Sequence, residues 1–152
     1  VHLSGSLDLP GVPSLHPLTS FDGKARDWQG TPLGVSGEPP AQILKAFQEL
    51  GFQSFELPNH LKPLYHACAV LSSGHAATLW LGAEKLLAEA GIVLPGRGLA
   101  PLAEATLQNF STLGRESRTG PFVRNDHETI EADAAALDPA WRDIFLKLGR
   151  II

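Results

Sequence analysis

From His60 to Gly91 the chain reads HLKPLYHACAVLSSGHAATLWLGAEKLLAEAG. A run so long and apolar, with its one proline at the very start, is predicted to be a helix of about 45 Å at 1.5 Å per residue. It is apolar on nearly every face, the pattern of a core helix surrounded by other helices. A membrane span is excluded on chemistry, because His66, Ser72, Ser73, Gly74, His75 and Thr78 would lie in hydrocarbon. Asn59 or a neighbour is expected to cap the segment, and Pro63 suits a first helical turn.

Lys62, His66 and Ser73 fall within about 40° of one another on such a helix, with Ala69 between them and Trp80 further along. Leu64, Leu71 and Thr78 point the opposite way, into packing. Ala69 is small enough for a ligand to approach. A lysine and an imidazole beside the positive end of a helix dipole would hold a carboxylate or a developing alkoxide. Spacing alone also accommodates the commoner arrangement, a solvated first-turn lysine and a hydrogen-bonded core histidine.

Before Pro58 the pattern is different. Short β-type runs alternate with turns: VHLSG, VPSLHPL, PLGVSG and QSFEL. Between the last two, PAQILKAFQEL places Ile43, Leu44, Phe47 and Leu50 at helical spacing, and Gly51 is the stop. Strand, helix, strand predicts a parallel pair with a covering helix. After Pro58 only helices are expected: the long one, a second from about Leu99 to Leu113 with Leu102, Leu107 and Phe110 on its apolar side, a third over about Asp126 to Leu137, and a fourth, PAWRDIFLKLGRII, beginning at Pro139. The fold class is therefore α/β followed by all-α, with residues 1–58 as an α/β lobe and 59–152 as a helical domain.

Composition narrows the function classes. A formal charge of −4 without long single-sign runs gives no footprint for nucleic acid or an anionic membrane surface. The single cysteine, Cys68, is expected to be a buried small hydrophobe in a reducing compartment, which points to the cytoplasm. The first residues lack the flanks of a signal peptide. With Val1 first and no methionine anywhere, the chain is expected to be the downstream part of something longer.

Four blocks, read together, carry a resemblance: HLSG near the start, SLHPLTSF at residues 14–21, KPLYHACAVLSSGH, and TGPFVRND at residues 119–126. In order and spacing they resemble the Rossmann-like proteins with a C-terminal helical domain of formerly unknown function, relatives of the 6-phosphogluconate dehydrogenase and ketopantoate reductase superfamily. The resemblance covers nearly the whole chain and implies the last strands and crossover helix of a Rossmann-type lobe followed by a helical dimerisation and substrate domain. In the superfamily a Lys-x-x-x-Asn pair on the long helix supplies a proton donor and a substrate-binding amide; here the matching positions are Lys62 and His66, so the division of roles between them is open. Ser4 and Gly5 match a loop beside the nicotinamide ring, and His16 with Pro17 a His-Pro turn facing the same cleft. Ser73 is expected to touch substrate from the polar stripe. Arg124 and Asp126 match an Arg-Gly-Asp in which this chain has Asn125; Arg124 either binds substrate or pairs with Asp126. The Gly-x-Gly-x-x-Gly pyrophosphate fingerprint belongs upstream of Val1. GRGLAP at residues 96–101 is read instead as a loop.

Two functions follow. One is the C-terminal part of an NADP- or NAD-dependent oxidoreductase acting on a small 2-oxo or hydroxy acid, ketopantoate-like or an imine such as pyrroline carboxylate, with Lys62 as proton donor and His66 assisting. The other is a catalytically silent helical dimerisation and substrate-binding module without cofactor affinity; either way a homodimer is expected, with WRDIFLKLGRII in its interface. A hydrolase lacks its nucleophile elbow. A metal site is not expected, since His66 and His75 point to different sides.

Overall fold

The computed structural model describes residues 1–151. Three strands form one sheet in the order β1 (Ser14–Pro17), β2 (Pro32–Ser36), β3 (Gln53–Glu56). β2 and β3 are parallel, joined by helix α1 (Ala41–Glu49), while β1 runs antiparallel to β2. VHLSG does not form a strand. It contributes a single parallel bridge, His2 to Ser14, because the chain turns away at Gly5 and Ser6.

Alternation along the strands gives the sheet two chemically distinct faces. Leu15 and Leu33, both fully buried, pack with Phe52 against Trp28, Val35, Ile43, Leu44 and Phe47, so the apolar stripe of α1 closes this side. Leu50 lies at the helix end and is exposed. Gly51 follows at φ 99°, and a Cβ there would meet the Gln29 side chain at 2.8 Å. The opposite face carries Ser14 paired with Ser36 and His16 paired with Gly34, which in turn pairs with Phe55.

That polar face is covered by the long helical segment. It enters through Pro58 and a 3-10 turn, Asn59–Leu61, rather than through an Asn59 side-chain cap, and continues as α2 (Lys62–Val70), a π-helical turn (Leu71–His75) and α3 (Ala76–Glu89). The expected core helix is not observed: Lys62 is the buried residue of α2, α3 has none, and Leu64, Leu71 and Leu81 are exposed. Thr78 and Cys68 are exposed as well. The sheet covers one side only, and among the described residues the apolar side chains on the remaining faces stay exposed.

The chain divides into two compact units, Val1–Gly91 and Ile92–Ile152, so the long helical segment belongs with the sheet, although the change from strands to helices falls near Pro58. The second unit holds α4 (Ala100–Leu113), α5 (Pro121–Arg124), α6 (His127–Ala135) and α7 (Pro139–Arg150). Leu102, Leu107 and Phe110 of α4 are exposed, not packed. Phe122 and Phe145 meet edge to face at 5.2 Å between centroids. Gly149 admits them, for a Cβ there would lie 2.3 Å from the Phe122 ring. The last residue of the fourth predicted helix, Ile152, lies outside the described residues.

Candidate functional site

The polar face of the sheet and α2 meet in two rows. In the first, Lys62 is 1% exposed and its Nζ donates to Ser14 Oγ at 2.9 Å. Among the described residues this buried ammonium is held by a hydroxyl and not by a carboxylate, so its charge is projected outward rather than cancelled. In the second row, one turn on, Tyr65 Oη lies 2.8 Å from His16 Nδ1, and the two rings meet edge to face at 5.4 Å. Tyr65 also packs on Phe55 at 5.9 Å and over Gly34, whose missing Cβ leaves room for it.

Beside the second row a cleft of about 470 Å³ opens between β1 and the helical segment. His16, Leu18, Thr19 and Ser20 line it from the strand side, and Tyr65, His66, Cys68, Ala69, Val70, Ser72 and Ser73 from the helix. None of these lining residues is an Asp or Glu. Burial depresses the His16 pKa below the ordinary 6.5, and the nearby positive charges of His66 and then Lys62 depress it further. Burial raises the Tyr65 pKa, so the phenol is neutral at physiological pH.

The sequence-derived residues are thus distributed as follows. His16, His66 and Ser73 line the cleft. Lys62 lies behind them at Ser14, not as a solvated first-turn lysine. Ser73 sits in the π-helical turn and donates to Ala69 O at 2.7 Å. Ser4 Oγ accepts from the Leu7 amide at 3.1 Å, and Gly5 is buried against the His16 ring, where a Cβ would lie 2.8 Å from Nε2. Trp80 does not reach the cleft, since the π turn adds a residue and rotates the helix beyond it by about 100°.

Arg124 belongs to the second unit. Asp126 caps α6, accepting from Thr129 N at 3.2 Å and Thr129 Oγ1 at 2.8 Å. Those bonds lower its pKa, with Arg124 a lesser, through-space contribution rather than the expected ion pair. Asn125 adopts φ 53°, the left-handed conformation that explains a glycine or asparagine at this position.

Ser14 and Tyr65 were given no role by sequence reasoning. Both carry a signal: Ser14 is two residues before His16, hence on the same strand face, and Tyr65 is three after Lys62, hence on the same helix face.

A small mixed sheet followed by helices is a fold shared with two solved structures. Over 98% of its length the chain is similar to protein TM1727 from Thermotoga maritima, at 26% identity and a TM-score of 0.80, covering 66% of that chain. It is similar over the same share to BF3122 from Bacteroides fragilis, described as a "putative NADP oxidoreductase", at 21% identity and a TM-score of 0.78, covering 62% of that chain. The chain therefore spans somewhat under two thirds of the length of these relatives. Residues 31–152 match the family described as Domain of unknown function (DUF2520), and the chain belongs to that family. No curated protein sequence matches it.

Proposed function

We propose that this chain is the substrate-binding, C-terminal portion of an NADP- or NAD-dependent oxidoreductase of the 6-phosphogluconate dehydrogenase and ketopantoate reductase superfamily, acting on a small 2-oxo or hydroxy acid. The carrying observation is the charge of the cleft: two imidazoles, hydroxyls and a buried ammonium behind them, with no Asp or Glu among the lining residues. Such a wall favours a carboxylate and stabilises charge developing on a carbonyl oxygen. His66 touches the substrate. Lys62 contributes its charge through the second row, because its own Nζ is enclosed with Ser14.

The pyrophosphate of the dinucleotide is held outside this chain, with Ser4 and Gly5 beside the nicotinamide ring. The β2-to-α1 loop, Gly37-Glu38-Pro39-Pro40, puts a carboxylate and two residues without an N–H where a pyrophosphate needs amide donors, so it does not fit that group. The relatives' additional length, a third or more of their chains, is where that site is expected.

Oxidation of NADPH by the full-length protein with a panel of 2-oxo acids tests this reading. Turnover with at least one acid is expected, with kcat/KM falling about 10²-fold in His66→Ala. Lys62→Ala is expected to lose turnover while cofactor affinity is kept. Absence of oxidation with every acid refutes it.

The alternative, a catalytically silent dimerisation and substrate-binding module, shares its homodimer with the first reading, and the exposed apolar residues bear on that dimer alone. Leu64, Leu71 and Leu81 on the long segment and Leu102, Leu107 and Phe110 on α4 are exposed, which suits helices that pack against a second copy. Acid binding by this chain without NADPH affinity in the full-length protein would select that function. A homodimer is proposed under both.

A further inference from the structure

We propose that a small carboxylate in the cleft accepts a hydrogen bond from Tyr65 Oη and is bound together with one proton on His16. This rests on the reading of the cleft as an acid site, and it assigns Tyr65 as the residue that senses the ligand's charge.

A phenol has a single O–H. Tyr65 Oη lies 2.8 Å from His16 Nδ1 and lines the cleft beside it. While a neutral His16 accepts at Nδ1, that O–H is engaged by the imidazole and Tyr65 turns only oxygen lone pairs toward the cleft, which repel a carboxylate. A hydrogen on Nδ1 reverses the bond, so that Nδ1–H donates to Oη and the phenol O–H turns to the ligand; the neutral Nδ1–H tautomer does this without a proton, and the ligand's negative charge favours the protonated ring over it. No bond other than these hydrogen bonds changes, and the proton comes from solvent. The anion also returns the stabilisation that His16 lacks in the free protein. The titratable groups facing His16 are Lys62, His66 and Tyr65 on α2, of which Lys62 and His66 disfavour a positive charge on the His16 ring. The N-terminal segment presents the Gly5 backbone, and β2 places Gly34 opposite. A bound carboxylate supplies the counter-charge that a protonated His16 lacks, so anion and proton bind cooperatively.

Calorimetric titration of pyruvate into the intact protein, in buffers of differing ionisation enthalpy, measures the coupling. Uptake approaching one proton per pyruvate is expected, with affinity rising up to roughly tenfold per unit fall in pH above the free His16 pKa. Tyr65→Phe and His16→Gln should each abolish uptake and leave affinity flat between about pH 6 and 8. If Tyr65→Phe does not fold, His16→Gln, whose amide still reaches Oη, decides alone. Pyruvate binding without proton uptake in the unaltered protein overturns the coupling and leaves the acid-site reading standing. Uptake that persists in His16→Gln assigns the proton to His66 and likewise overturns it. No pyruvate binding at any pH overturns both.

Discussion

Gly34 occupies the crossing of β2 with the Tyr65 side chain. A Cβ there would lie 3.2 Å from Leu57 Cδ2, 3.3 Å from Phe55 Cζ and 3.5 Å from Tyr65 Oη. Gly34→Ala is therefore expected to cost about 1–3 kcal/mol in chemical denaturation, as overpacking does, and to weaken the pairing of Tyr65 with His16. His16 has a lowered folded-state pKa, so the unfolded chain binds its proton first as pH falls. The sign follows: His16 leaves stability undiminished above its ordinary value of 6.5 and subtracts from it as pH drops from there to the lowered value. Melting midpoints across that window should fall with acid, and His16→Gln should lessen that fall. Lys62→Met removes one of the charges that depress His16, so the His16 midpoint in imidazole NMR titration should move upward; an unmoved midpoint would show that Lys62 does not act there. At this scale the sequence displayed His16 and His66 but hid Ser14, since a serine in a short strand has no distinctive pattern until its partner lysine is folded over it.

Among the elements, α7 starts where its signals put it, with Asp138 accepting from Ala140 N at 2.9 Å and Trp141 N at 3.1 Å ahead of Pro139. Asp138→Ala should cost about 1 kcal/mol, read as a lowered denaturation midpoint, because two first-turn amides lose their acceptor. Local signals made three helices legible: Pro139 for α7, apolar spacing with Gly51 as the stop for α1, and apolar spacing for α4. The π-helical turn at Leu71–His75 was not, because LSSGH continues an α-type apolar pattern. Its Ser72 and Ser73 hydroxyls donate to Cys68 O and Ala69 O at 2.8 and 2.7 Å, occupying carbonyls within the widened turn. Deleting Gly74 should restore a continuous α-helix and rotate α3 by about 100° relative to α2. Retained far-UV helicity with weakened carboxylate binding is the expected pair of observations, since Ser72 and Ser73 line the cleft.

For the molecule as a whole, exposure is the feature that patterning misjudged. Leu64 at 64% and Leu71 at 59% exposed were expected to point into packing, and Leu81 on the same segment is 67% exposed. If they serve a dimer, sedimentation should give twice the monomer mass, and Leu64→Asp with Leu81→Asp should shift it to monomer without loss of helicity. No helix among the described residues is long and apolar enough to cross a membrane, as the polar residues of the long segment require. By itself the sequence determined the parallel β2–α1–β3 unit, the change to helices near Pro58, and the presence of Lys62 and His66 one turn apart on the first of them. Periodicity and turn chemistry act over a few residues, and so can be read along the chain. Only tertiary structure decided that Lys62 is enclosed with Ser14, that Tyr65 meets His16, and which apolar faces find cover. Each of these depends on which residues the antiparallel β1–β2 register and the approach of α2 bring together across 48 or 49 positions of sequence, a distance at which no local pattern carries information.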